Sequence, residues 1–296
     1  MKEPKVSIII LNYNGFTDTI ECLESLKNIT YKNYEIIVVD NGSFNNEAER
    51  IEEKYPEVLV IKNPTNYGFC RGNNIGGKIA LSNNAEYLLF LNNDTLVEPN
   101  FLDELITFSE ANPDVGIAGP LILYYFERNQ VYSSGGKFNN ILFYCKEFKY
   151  PYKEPQKNLN FLSGCAFLVK KSVIKKVGIW DEDYFKYWEE TDYCLRAKKA
   201  GFRISCVPQS IIYHKVARTN IYLSKGYIYY MVRNNLLLAI KHAKWYYWPL
   251  IGINFFLRRW LGYTLKLSLT KNFISLPGIF WGTYDFVFNS YGKGRY

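Results

Sequence analysis

The chain of 296 residues has neither a GxGxxG segment after its first apolar run nor a GxxxxGK[ST] segment anywhere. The first absence argues against a dinucleotide-dependent oxidoreductase, and the second against a phosphate-loop nucleotidase. Histidine is scarce, with only His214 and His242, and the six cysteines stand singly without a CxxC pair. No zinc-site or disulfide framework is therefore legible, and a reducing compartment is expected. The start, Met1-Lys2-Glu3-Pro4, has no apolar core of signal-peptide length, so no export signal is expected. The longest uncharged apolar stretch, residues 245–257, is interrupted by Pro249 and is well short of the roughly 20 residues that span a bilayer.

Aromatic residues are abundant, at 18% of the chain, and the net charge is +8. Both are unevenly placed. Residues 220–296 carry ten Lys or Arg against the single acid Asp285, so the excess positive charge lies in that last quarter. Bases and aromatics interleave there, as in Phe255-Phe256-Leu257-Arg258-Arg259-Trp260. A composition boundary falls near 219/220, which predicts two units: 1–219, the larger domain, and 220–296, a helical basic aromatic segment. Long aliphatic runs such as 236–240 make a nucleic-acid partner unlike known stacking platforms, and none is expected. A basic, aromatic, interrupted apolar segment fits a membrane interface, where bases meet anionic head groups and Trp and Tyr sit at the boundary. The same segment also reads as a cap packed on the first domain.

The first 219 residues alternate between strand and helix patterns. Val6–Leu11 and Glu35–Asp40 are short β-branched runs, and Ile20, Leu23 and Leu26 lie along one face of a helix between them, which makes a βαβ unit. Strands are also predicted at 58–61, 87–91, 161–169 and 211–213, with helices across 75–81, from Pro99 through Phe108, and from Glu189 to Gly201. The expected fold class is α/β, an open and mostly parallel sheet with flanking helices.

Ligands of such sheets bind outside the carboxyl ends of the strands. The first strand ends in Asn12-Tyr13-Asn14-Gly15, the second in Asp40-Asn41-Gly42-Ser43 and the fourth in Asn92-Asn93-Asp94. Tyr13 offers a flat face to a base, Asp40 accepts from a base N–H or a ribose hydroxyl, and Asp94 suits a divalent cation. Each motif alone also reads as ordinary turn chemistry. In the glycine-rich stretch 66–77, Asn73 and Asn74 are expected to open a helix whose amides favour an anion, with Arg71 meeting a diphosphate. A loop feeding a packed helix, with Gly76 and Gly77 close to the sheet, is the alternative.

Five segments, taken in order, resemble one family. They are residues 4–14, Ile37-Val38-Val39-Asp40-Asn41-Gly42-Ser43, residues 66–76, Leu91-Asn92-Asn93-Asp94 and residues 188–196, beginning Trp188-Glu189-Glu190-Thr191-Asp192. Their sequence is similar to family 2 of the inverting glycosyltransferases, and most like its rhamnosyltransferase-like branch. The resemblance implies the GT-A fold, a nucleoside diphosphate sugar donor linked to UDP or dTDP, and Mg²⁺ or Mn²⁺. It makes Asn12 and Tyr13 part of the nucleotide pocket, Asp40 the base or ribose contact, and Asp94 the last acid of an Asp-x-Asp motif in which Asn92 replaces the first. Asn93 stands between them at the donor. His214 matches a late histidine that can ligate the metal. Gly164 matches a strand residue that leaves room for the sugar.

Glu189-Glu190 occupies the place of the family's Glu-Asp pair, whose second acid is the general base. Glu190 is the expected base, with Glu189 as the alternative because the exchange of Asp for Glu moves the carboxylate by about 1 Å. A position at a helix N-terminus predicts that Glu190 is held ionised. Residues 124–160 read as a variable loop or hairpin near the acceptor. The expected activity is inverting transfer of a hexose or deoxyhexose to a hydroxyl of a glycan or lipid-linked acceptor, in surface polysaccharide or glycolipid assembly, at the cytoplasmic face of the membrane. Two other readings remain: a nucleotide-sugar-binding or membrane-scaffolding protein that lost turnover, motivated by Asn92 and Glu190, and a nucleotidyltransferase, which would release pyrophosphate.

Overall fold

The computed structural model describes residues 3–156, 159–216 and 223–296. The first half builds β1 (Val6–Asn12), α1 (Phe16–Leu26), β2 (Tyr34–Asp40), α2 (Glu47–Lys54), β3 (Leu59–Lys62), α3 (Gly68–Ser82), β4 (Tyr87–Asn92), β5 (Thr95–Val97) and α4 (Phe101–Ala111). There follow β6 (Val115–Tyr124), β7 (Val131–Ser133), β8 (Gly136–Asn139), β9 (Tyr144–Glu147), β10 (Ala166–Lys170), α5 (Lys171–Val177), α6 (Glu189–Lys199) and β11 (Arg203–His214). The last quarter is helical: α7 (Lys225–His242), α8 (Trp248–Phe255), a π-helical turn (Phe256–Leu261), α9 (Gly262–Leu269) and α10 (Pro277–Val287).

The main sheet runs β3-β2-β1-β4-β10-β6-β11-β5, with β7 on β6, and β8 pairs with β9 in a separate hairpin. β3, β2, β1 and β4 are parallel, as the βαβ pattern predicts, and β10 is inserted antiparallel between β4 and β6. Helices cover both faces, so the strands are apolar at successive positions. In β1 the pleat sends Ile9 into one core, with Val39, Phe90 and Phe167, and Ile8 and Ile10 into the other, with Leu23, Leu89 and Leu168. Each of these fully buried isoleucines stabilises the fold by about 1.5–3 kcal/mol.

Three expectations are corrected by this architecture. The run 161–169 is strand only from Ala166; the residues before it turn along the cleft described below. The helix expected at 75–81 begins at Gly68, so Asn73 and Asn74 do not open it but are buried inside it. The strand at 211–213 extends back to Arg203, across a register shift between Val207 and Ile211 that accommodates Pro208. α3 can lie against the sheet because Gly76 has no side chain: a Cβ there would meet Ile9 Cγ2 at 2.7 Å.

The composition boundary at 219/220 lies outside the described residues. Beyond it, Leu237, Leu238 and Ala239 of α7 enter the same core as Phe90 and Trp180. No helix of the described residues is long and apolar enough to cross a membrane.

Candidate active site

The carboxyl ends of β1, β2 and β4 meet around buried amides. Asn12, fully buried, donates from Nδ2 to Asp40 Oδ1 (2.7 Å) and Glu47 Oε2 (2.9 Å), and accepts from Thr19 Oγ1 (2.7 Å). Asp40 is also buried, and its Oδ2 accepts from the Ser43 amide at 3.0 Å. Glu47, which sequence reading missed, also accepts from the Gly15 amide at 3.0 Å. Asn41 accepts from Asn63 and the Tyr67 amide, and donates to Asn66 and the Gly68 carbonyl. These bonds fix the loops on which Tyr13 and Gly68 face an open cleft of about 690 Å³, within the size range of small-molecule sites.

Tyr13, Asn92, Gly164, Glu189, Glu190 and His214 line that one cleft, although they come from five separate parts of the chain. Asp94 stands beside His214, with Oδ2 3.2 Å from Nε2. Asn12, Asp40 and Asn93 sit behind the wall: Asn93 donates to Thr19 Oγ1 at 3.0 Å and braces the start of α1. Arg71 is not brought in. It lies exposed on the outside of α3, its guanidinium stacked 4.2 Å from the Tyr67 ring. Among the described lining residues the Lys or Arg is Lys186, in the segment before α6, where burial lowers the pKa of its ammonium.

Glu189 and Glu190 begin α6, after two consecutive residues with left-handed backbone, Tyr187 (φ 68°) and Trp188 (φ 75°). Such conformations are strained for side-chain-bearing residues and persist only where surroundings enforce them. Here α7 enforces them. Asn234 donates from Nδ2 to the carbonyls of Lys186 (2.8 Å) and Tyr187 (3.0 Å), and fully buried Arg233 bonds the carbonyls of Asp183 and Gly292. On the other side, the Phe69 amide donates to the Phe185 carbonyl at 2.7 Å. Gly68 (φ +81°) allows this, since a Cβ would fall 2.4 Å from the Phe185 ring.

The expectation that the helix N-terminus holds Glu190 ionised is overturned. Burial at the base of the cleft outweighs the backbone amides and, with the charge of Glu147 across the cleft, pushes its pKa up to about 7. Glu189 is pushed well above the usual carboxylate range, first by burial and then by Glu190; its Oε2 is buried with no hydrogen-bond partner among the described residues. Asp94 is different. Burial opposes its charge, but the His214 hydrogen bond, the charges of His214 and Lys215 and a backbone hydrogen bond together outweigh that and lower its pKa.

Asp94 and His214 supply one oxygen and one nitrogen donor side by side, a set suited to a divalent cation that shares its remaining positions with phosphate oxygens and water. No cluster of three or more His, Cys, Asp or Glu that could enclose an ion by itself exists among the described residues. This fits the replacement of the motif's first acid by Asn92.

Residues 7–178 match the family model described as glycosyl transferase family 2. Over 271 residues the chain is 25% identical to the N-acetylglucosaminyl-diphospho-decaprenol L-rhamnosyltransferase of Mycobacterium tuberculosis, covering 82% of this chain and 87% of that one. Two solved structures share the fold. One is S. aureus TarS 1–349, with TM-score 0.63 and 19% identity over 96% of this chain and 80% of that one. The other is GalNAc-T7 with UDP, GalNAc and Mn²⁺, with TM-score 0.61 and 18% identity over 72% and 44%.

Proposed function

We propose, since this chain belongs to glycosyl transferase family 2, that its cleft moves a hexose or deoxyhexose from a UDP- or dTDP-linked donor to an acceptor hydroxyl, with inversion at the anomeric carbon. The observation that carries this reading is the meeting of Glu190, Gly164, Tyr13 and His214 in one cleft. The nucleotide lies along Tyr13, on the loops that Asn12 and Asp40 hold. The sugar occupies the space beside Gly164, where nothing but Glu190 and Phe69 comes within 4 Å of a built Cβ. Glu190 takes the proton of the acceptor hydroxyl as that oxygen attacks opposite the departing diphosphate. A carboxylate with a pKa near 7 is well matched to this task at neutral pH.

Asp94 and His214 would hold Mg²⁺ or Mn²⁺, which when bound neutralises charge on the leaving diphosphate. Lys186 supplies a protein cation to the same cleft and takes the part first expected of Arg71. Burial and the neighbouring Glu190 hold the Glu189 carboxyl well above the usual carboxylate range, which favours Glu190 over it as the base.

The acceptor is a glycan or lipid-linked glycan, and the protein works at a membrane face. Support for this comes from the exposed apolar side chains of the last quarter, among them Trp245, Leu269 and Ile274, each more than 80% exposed, interleaved with Lys244, Lys266 and Lys271. The related M. tuberculosis enzyme is named for a diphospho-decaprenol acceptor.

The test is donor turnover with Mn²⁺, by wild type and Glu190→Gln. Release of nucleoside diphosphate by the wild type, with a loss of about a hundredfold or more in the variant, is the expected result. A wild type that binds donor but releases nothing would favour the turnover-free binder, and release of pyrophosphate would favour nucleotidyl transfer.

A further inference from the structure

α8, the π-helical turn and α9 form one continuous helical run from 248 to 269. Along it Ile253, Leu257, Leu261, Leu265 and Leu269 are exposed, and they recur at steps of four. Residues four apart share a helix face, so this is a single apolar stripe, not scattered surface residues. A π-helical turn inside an α-helix is itself a departure that occurs often at functional sites.

The two arginines of that turn do not sit on the stripe's open side. Arg259 stacks over the ring of Trp188, its Cζ 5.4 Å from the centroid, and Arg258 over the ring of Tyr144 at 4.5 Å. Trp188 directly precedes Glu189 and Glu190 and lines the cleft, whereas Tyr144 begins β9, whose Cys145 and Glu147 line its other side. The arginines therefore stand at the rim on both sides of the base. Asn254, one turn earlier, donates to the Leu142 carbonyl of the same hairpin and fixes the helix against this rim. Arg259 spends one N–H on Tyr263 at 3.0 Å, and neither guanidinium meets a carboxylate among the described residues. Stacking engages the planar face and leaves the edge N–H groups for an anion.

We propose that Arg258 and Arg259 bind the phosphate of a long-chain isoprenyl phosphate carrier, whose hydrocarbon lies along the apolar stripe and whose sugar reaches Glu190. The inference rests on the transfer reading and narrows its acceptor to a phosphate-linked lipid. Charge, apolar contact and chemistry then follow one line from membrane to cleft. A soluble oligosaccharide would use neither the stripe nor the paired arginines.

The experiment needs no turnover, so its failure is separate from failure of the transfer reading. Full-length protein is floated with phosphatidylcholine vesicles containing undecaprenyl phosphate, undecaprenol, or phosphatidylglycerol at matched negative charge. Capture by undecaprenyl phosphate should exceed capture by the other two, and Arg258→Ala/Arg259→Ala should lower it by about tenfold or more. If the double variant melts early, the exposed single variant Arg258→Glu replaces it. Equal capture by phosphatidylglycerol, equal capture by undecaprenol, or capture unchanged in the variants would each overturn the proposal.

Discussion

The side-chain amide of Asn234 bonds the carbonyl of Tyr187 at 3.0 Å, which ties a helix of the last quarter to the strained turn ahead of Glu190. The same amide nitrogen reaches the Lys186 carbonyl. The backbone ahead of Glu190, the proposed base, is thus held by a helix of the last quarter, and both lie beyond residues 7–178 that the family model matches. Asn234→Ala should leave both carbonyls short of a partner, at a cost of about 1–3 kcal/mol in stability. Displacement of the base by about 1 Å would lower kcat by ten- to a hundredfold while donor KM changes little. Steady-state kinetics beside urea denaturation would check both.

Transfer should follow the titration of Glu190. Only the ionised form accepts a proton, so kcat/KM should rise as pH increases toward about 7 and level off above it. The stability effect has the opposite direction. The folded state holds this proton more tightly than the unfolded chain, so the contribution is full below the ordinary carboxylate value and is lost as pH rises through about 7. Glu190→Gln should therefore raise Tm relative to wild type at pH 8 and much less at pH 5. Thermal melts at the two pH values test this.

The donor's diphosphate should bind through Asp94 and His214 when Mn²⁺ is present. A thermal-shift series with UDP and dTDP should show stabilisation that grows with Mn²⁺ and vanishes with EDTA. Asp94→Asn and His214→Ala should each lose the Mn²⁺-dependent part.

Two glycines separate packing from binding. Gly68→Ala places a Cβ 2.4 Å from the Phe185 ring at φ +81° and should destabilise by about 2 kcal/mol or more. At Gly164 the nearest atom to a new Cβ is Glu190 Cβ at 3.6 Å, ordinary contact. Gly164→Ala should therefore melt near wild type yet raise donor KM several-fold, because the methyl group occupies the sugar's space. Denaturation and kinetics on the pair distinguish the two effects.

Replacing Leu257, Leu261 and Leu265 with serine should abolish flotation with anionic vesicles while preserving the melt, since all three are exposed. Removing everything after residue 219 would be a poor substitute. It would strip Leu237 and Leu238 from the main core and confound membrane loss with unfolding.

The parallel half of the sheet is legible because β1, β2 and β4 each carry at least four consecutive apolar, mostly branched residues, the pattern of a strand buried on both faces. β6 was not, because Gly116, Gly119 and Pro120 interrupt it. Pro120 is tolerated since β10 pairs only as far as Ala118, and β7 begins beyond it. At the site, the motif residues Tyr13, Gly164, Glu190 and His214 line one cleft, whereas Lys186, Glu47 and Asn234 make their contacts with residues far away in the chain, which no local pattern announces. Arg71 faces outward because the helix begins at Gly68, seven residues before the expected start at 75, which puts Arg71 inside the helix rather than in a loop ahead of it. A helix N-terminus favours an ionised Glu190, but the depth at which that carboxyl lies is set by the tertiary fold and no local sequence pattern reports it.

α7 also has a use in protein engineering. Its far end is joined to α6 by His242 and Asp192 at 2.7 Å, and its middle grips the turn before Glu190. Hybrid enzymes that exchange the exposed apolar surface between relatives should therefore keep α7 together with α6 and with the Gly292 segment that Arg233 bonds, and confine the exchange to exposed side chains such as Leu257, Leu261 and Leu265.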